Sequence, residues 1–266
     1  MKNDFLDSSQ YEHPLDKKLL SALKNIPFIE KIGDWVLDYY SKTDFLVEGR
    51  GNYFEVTETS CPRVDNLRRI AMDRLSIDFD FPIFIKREWS YDAYTTGSKS
   101  PIMVLHSSIV EDFTDDELLS IIGHEIGHRK SKHTVLHLMA RNIVVLIRNF
   151  GYIGELALQS LIIALKEWDR KSELTADRAG YIANQNKEAS MNALFKLMGV
   201  PFDYEDKNKY NFQLEDVLLQ AKTHYDNLNN SNYQKFVYAL LTSQIDHPWL
   251  IERINEINKW EGIKRL

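Results

Sequence analysis

Apolar side chains recur every three to four positions near the start of the chain. Leu15, Leu19, Leu20 and Leu23 share one face, and Ile29, Ile32, Trp35, Val36 and Tyr39 another, which predicts short amphipathic helices over 14–25 and 27–42. Residues 52–57, NYFEVT, alternate as a half-buried strand does. A helix over 62–77 would turn Val64, Leu67, Ile70, Ala71 and Leu75 inward, and FPIFIK (81–86) and PIMVLHSS (101–108) read as further strands. SYDAYTTGSKS reads as the loop between those two. Beyond it the periodicity is helical to the end, with expected helices at 115–133, 134–149, 153–168, 169–184, 188–198, 212–228, 232–244 and 248–260. The polar stretch DYEDKNKYN (203–211) is expected to be a loop. Few, early strands and many helices predict an α+β fold, predominantly helical with a small sheet.

The most apolar region, 135–165, is interrupted by Arg141, Arg148 and Glu155. No uninterrupted run there approaches the ~20 residues of a membrane-spanning helix. Two buried or amphipathic helices joined near 149–154 are expected instead, leaving at most peripheral contact with a membrane surface. The first 18 residues lack the apolar stretch of a signal peptide. A net charge of −6 argues against nucleic acid as the partner, because phosphate binding needs a basic face. The single cysteine, Cys61, excludes an internal disulfide framework and fits a reducing compartment. It also excludes a multi-cysteine metal site. A soluble, cytoplasmic chain is the expectation.

The chemistry is concentrated in TDDELLSIIGHEIGHRKSKH, 114–133. Thr114 and Glu117 form an S/T-x-x-E capping box that starts a helix, and Asp115 and Asp116 suit its first turn. His124 and His128, four apart, leave the same face and can grip one ion. Glu125 is turned about 100° away, so it should flank the metal and take a proton from water there. Gly123 and Gly127 each cost about 1 kcal/mol in a helix relative to alanine. Close approach of another backbone or of a substrate would compensate.

A catalytic zinc site needs a third protein ligand. The continuation H-x-x-G-x-x-H is absent, since Ser131 and Thr134 stand where it requires glycine and a neighbouring ligand. The best source is WDRKSELTADRAG, 168–180: Glu173 and Asp177 share a helix face, so Glu173 could bind zinc and Asp177 could accept the outer N–H of a ligand histidine. The alternative is a solvated face paired to Arg170 and Arg178, and Glu167 or Asp169 are the next ligand candidates. His133 and His137 are also four apart, but half a turn round from the first pair and without a glutamate, so they read as a surface or packing pair.

These residues together resemble the zinc metallopeptidase family of HtpX and the CAAX prenyl protease of type 1. The similarity rests on DELLSIIGHEIGH, SELTADRAG and HPWLIERI (247–254), in matching order over about 85–260. The resemblance implies a zincin-like metallopeptidase: a single peptidase domain over 1–266, with an N-terminal helical part and a short strand at 1–80, then a zincin core and C-terminal helices at 81–266. It implies His124, His128 and Glu173 as ligands of one Zn2+ per chain and Glu125 as the catalytic base. Asp177 falls on the acid that follows the family's ligand glutamate, and His247 and Arg253 on its H-P-x-x-x-x-R element. His247 is then the candidate donor to the oxyanion, and His247 could instead cap the last helix or hold the fourth zinc position; Tyr210 is a further candidate donor only from its place in the expected loop. The 101–108 strand would line the cleft and receive a peptide at its edge. Two departures separate this chain from the family's best-known members: no transmembrane helix is evident, and Asp92-Ala93 replaces Asn-Ala. A protein or peptide substrate other than a prenylated CAAX sequence is therefore expected. The rival expectation is a zinc-bearing but latent, or chaperone-like, binding protein.

Overall fold

The computed structural model describes residues 5–26, 28–41, 45–79, 81–97, 101–142, 155–199, 214–234 and 249–263. The N-terminal part holds α1 (Pro14–Lys24), α2 (Ile29–Ser41), α3 (Phe45–Asn52), β1 (Phe54–Glu55) and α4 (Pro62–Arg74). Then come β2 (Ile83–Lys86), β3 (Ala93–Thr96), β4 (Ile102–His106), α5 (Ser107–Asp112), α6 (Asp115–Lys130) and α7 (Thr134–Arg141). The rest is helical: α8 (Glu155–Asn184), α9 (Lys187–Met198), α10 (Leu214–Asn230) and α11 (Leu250–Lys259). The fold is thus predominantly helical with a small sheet, as the hydrophobic periodicity predicts.

Strand order in the sheet is β1-β2-β4-β3; β2 and β4 run parallel, and the outer pairings are antiparallel. Met103 and Leu105 of β4 join the main core, while Ile102 and Val104 face α3 with Phe84. Burial on both faces explains the unbroken apolar run of that strand. The main core lies between the sheet and α4, α6 and α8, with Val64, Leu67, Phe81, Ile122 and Ile126 all buried. A second cluster, including Leu23, Ile32, Val36, Leu165 and Trp168, ties α1 and α2 to the first half of α8.

Several elements differ from expectation. β3 lies where a loop was expected: Tyr94, Thr95 and Thr96 favour strand, and pairing Ala93–Thr96 against Leu105–Ile102 outweighs the flanking turn residues. Consequently β4 is paired on both sides, and the edge expected of the 101–108 strand belongs to β3. The two helices expected at 153–168 and 169–184 are represented by one, Glu155–Asn184, because neither proline nor glycine separates them. α3 and α5 were not anticipated; both are short, and sequence periodicity needs longer windows.

α6 ends at Lys130 rather than continuing to 133. Ser131 caps it, and Lys132 adopts a left-handed conformation at φ 59°. The chain turns there, and the His133 N–H donates to the carbonyl of His128. Among the described residues no helix is long and apolar enough to cross a membrane. The expected loop at 203–211, the joint at 149–154 and most of the expected helix at 232–244 lie outside the described residues.

Candidate active site

The capping box that starts α6 is present: Thr114 Oγ1 accepts from the Glu117 N–H, and the Thr114 N–H donates to Glu117 Oε2. Lys196 of α9 binds the same carboxylate at 2.7 Å and buries it. The helix is thereby fixed at its start, and the three turns that follow carry His124 and His128 into the interior.

Glycine allows α6 to reach α8. A Cβ built on Gly123 would stand 2.3 Å from the Cβ of Ala183, and one on Gly127 2.5 Å from that of Ala179. Gly180 faces the carbonyl of Ser120 just as closely, a Cβ there falling 2.6 Å from the oxygen. Ala176, Ala179, Gly180 and Ala183 follow helical spacing, so one face of α8 is small enough for backbone contact. The compensation for the helix-weakening glycines is therefore the approach of a second backbone.

That approach delivers Glu173 and Asp177 to the two histidines. His124 Nε2 and His128 Nε2 are 3.0 Å apart. Glu173 Oε1 is 3.2 Å from the second, and Oε2 is 3.4 Å from the first. Bonds of about 2.0–2.2 Å to a tetrahedral ion separate neighbouring ligand atoms by roughly 3.3 Å, so the three groups fit one zinc-sized ion. Glu125 also lies within 4.8 Å of both rings. Its carboxylate is drawn to β3, where Thr95 Oγ1 donates to Oε2 at 2.9 Å. A cleft between β3 and helices α6 and α7 opens over Glu125 and His128, bordered by Thr95, Thr96, Thr134 and His137.

On the far side His124 Nδ1 is 2.9 Å from Asp177 Oδ1. Arg253 of α11 grips the same carboxylate through Nε (2.8 Å) and Nη2 (2.6 Å), and its Nη1 is 3.4 Å from Glu173 Oε2. The pair expected at 173 and 177 is thus inward-facing rather than solvated; Arg170 instead pairs with Glu167, and Arg178 donates to the carbonyls of Tyr11 and Glu12. Burial pushes the His124 ring down, but Asp177 and Glu173 outweigh it and raise it to about 10. At His128 burial prevails over Glu173, and the ring stays below its ordinary value.

Of the two readings of His133 and His137, surface or packing, the packing one holds. Both are buried, and with His128 their ligating nitrogens lie within 4.8 Å of one another. The break at Lys132 swings them back under His128, a turn that a continuous helix would not make. His137 Nδ1 contacts Asp169, the residue held in reserve as a ligand, and Ser172 Oγ lies 3.3 Å from Nε2. Sequence reasoning missed Thr95, which it takes for loop, and missed Asp16, whose Oδ2 lies 3.2 Å from His133 Nε2, because nothing local links it to residues so distant in the chain. His247 and Tyr210 lie outside the described residues.

The model of peptidase family M48 matches residues 67–261. The plastoglobule-localized metallopeptidase 48, chloroplastic, of Arabidopsis thaliana is 27% identical over 257 residues, covering 96% of this chain and 73% of that protein. A CAAX prenyl protease 1 homolog of Dictyostelium discoideum is 24% identical over 195 residues, covering 68% of this chain and 42% of its own length. Among solved structures, Ste24p of S. mikatae superposes with a TM-score of 0.43 at 16% identity, over 92% of this chain and 61% of that one.

Proposed function

Because the chain belongs to peptidase family M48 and is a metallopeptidase acting on proteins or peptides, we propose that it is a zinc-dependent endopeptidase whose ligands are His124, His128 and Glu173 and whose general base is Glu125. One observation carries this reading: three donors from two helices, His124 and Glu173 buried and His128 half-buried, converge at 3.0–3.4 Å from one another, the separation that ligands of one small ion need. Zinc, when bound, supplies a Lewis acid that acidifies water and polarises the scissile carbonyl.

The remaining work falls to the chain. Glu125, fixed by Thr95 and facing the cleft, accepts the proton of the attacking water and returns it to the leaving nitrogen. Glu173 is kept from turning away by Arg253. Asp177 holds His124 with its Nε2 towards the donor cluster, and Arg253 fixes Asp177. An extended substrate adds to the edge of β3, whose outer side has no strand partner among the described residues. That edge runs beside Glu125, and an added strand would lay its peptide groups along the cleft.

The test is metal content and casein digestion on protein purified without chelator or histidine tag. About one zinc per chain is expected from a single three-ligand site. Digestion should be lost in Glu125→Gln, by at least the 10²–10⁴-fold typical of a general base, with zinc retained. Undiminished digestion by a zinc-loaded Glu125→Gln chain would sink the assignment.

A further inference from the structure

Outside the cleft, the most completely buried ionic group among the described residues lies under His128. Nδ1 of His128 is 3.3 Å from Nδ1 of His133, and Nε2 of His133 is 3.2 Å from Oδ2 of Asp16. His133 and Asp16 are each 1% exposed. Asp16 stands on α1, outside the stretch matched by the family model, which begins at residue 67.

The donors and acceptors allow one consistent assignment. His128 Nε2 faces the donor cluster, so in the metal-bound chain its Nδ1 carries the hydrogen and donates to His133. His133 then accepts at Nδ1 and carries its hydrogen on Nε2, where its nearest acceptor is Asp16. This 3.2 Å approach is not a linear hydrogen bond, and among the described residues Nε2 has no hydrogen-bond partner elsewhere. Asp16 is an acceptor alone, and three donors converge on it: His133, Trp168 through Nε1 at 2.9 Å, and Thr175 through Oγ1. Thr175 in turn accepts from the N–H of His13, the residue before α1. The backbone reinforces the arrangement, since the His133 N–H also binds the His128 carbonyl.

We infer that Asp16 and His133 are positioning residues for the metal site, forming a buried His128–His133–Asp16 chain through which the N-terminal helix α1 fixes the tautomer and orientation of the ligand His128. The inference rests on the zinc site proposed above. It makes the two ligand histidines equivalent in kind: His124 is oriented directly by a carboxylate, Asp177, and His128 by a carboxylate acting through a second imidazole. It also gives His133 a role apart from the zinc donors. The turn at Lys132 exists to bring His133 beneath His128, and Trp168 closes over both rings, with centroids 5.3 Å from His133 and 5.0 Å from His137.

The decisive experiment measures zinc affinity by competition with a chromophoric chelator, together with the visible spectrum of the cobalt(II)-loaded chain. It compares the parent with Asp16→Asn, His133→Phe and a packing control on α1, Leu19→Ala. Asparagine offers one acceptor oxygen where Asp16 serves three donors, so His133 loses its anchor at nearly constant volume. Zinc affinity should fall about tenfold or more in Asp16→Asn and His133→Phe, the usual consequence of removing a ligand's outer partner. Their cobalt bands should shift, whereas Leu19→Ala should keep parental affinity and spectrum. If His133→Phe does not fold, Asp16→Asn decides alone. A parent that binds zinc while Asp16→Asn stays within twofold of it, with an unchanged cobalt spectrum, overturns the relay and leaves the zinc site standing. A parent that takes up no zinc removes both.

Discussion

Nη2 of Arg253 lies 2.6 Å from Oδ1 of Asp177, and both side chains are buried. Burial pushes the Asp177 carboxyl up, but Arg253 outweighs it and holds the group below its ordinary value. The pair also fastens α11 to α8 behind His124. Removing the guanidinium breaks the buried ion pair and leaves Asp177 with His124 as its remaining partner; breaking a buried pair costs about 3–5 kcal/mol. Arg253→Met should therefore lose stability of that order in urea unfolding of the zinc-free chain. Adding Asp177→Asn should recover part of the loss. A single variant within about 1 kcal/mol of the parent would mean that other groups already satisfy Asp177.

The seam between α6 and α8 leaves no room for a methyl group. Gly123→Ala gains about 1 kcal/mol of helix propensity but sets two Cβ atoms 2.3 Å apart unless the helices separate. Overpacking of this kind costs about 1–3 kcal/mol, so the net change should be destabilising. Zinc affinity should fall as well, because separating the helices carries Glu173 away from the histidines. Gly123→Ala combined with Ala183→Gly removes the nearest clash and should restore most of both. Thermal unfolding and chelator competition on the two variants provide the check.

These two relationships show how much could be read from sequence. The α6 pattern was legible because every feature was local: the capping box, the histidine spacing and the two glycines fall within one helix. Glu173 and Asp177 were legible because they too share a helix face. What joins them was only half legible, since the glycines announced a close approach without naming Ala179 and Ala183 as the other side. Asp16 and Thr95 were hidden because their meaning depends on tertiary contacts with distant elements. The burial of His133 fits its packing reading, but its place beneath His128 was hidden because it depends on the turn at Lys132, a left-handed residue just past the end of α6.

Glu173 separates ligand loss from base loss. Glu173→Ala should abolish stoichiometric zinc binding, since two imidazoles alone leave the site one ligand short, while Glu125→Gln should keep it. Metal content by atomic absorption after dialysis distinguishes them. Unchanged affinity in Glu173→Ala would move the third-ligand assignment to Glu125, the other carboxylate within reach of both rings.

Thr95 restrains Glu125, the proposed general base, without touching the proposed metal donors. Thr95→Val keeps the shape of the strand and removes the hydroxyl that donates to Glu125. Misorientation of a reacting group is felt strongly, and a fall in kcat of roughly tenfold is expected, with zinc affinity unchanged. Thr95→Ser should retain most of the activity. Steady-state kinetics on a fluorogenic peptide, with zinc content measured in parallel, would expose a purely structural role as a loss in both readouts.

Acid should act through Asp16. Burial pushes its carboxyl up, but His133, Thr175 and Trp168 outweigh that and hold it below its ordinary value of 3.8. A carboxyl depressed on folding stabilises the chain above its unfolded-state value, and that stabilisation is lost as the pH falls through the lower, folded-state value. The zinc-free parent should therefore lose part of its stability below about pH 4, the range in which unfolded aspartate protonates. Asp16→Asn, having no proton to take up, should be less stable than the parent at pH 7 and should show a flatter profile, so that the two curves approach each other in acid. Urea midpoints between pH 7 and pH 3 test this directly. Parallel curves would mean that Asp16 is protonated alike in both states, and its carboxylate could not then be what anchors His133.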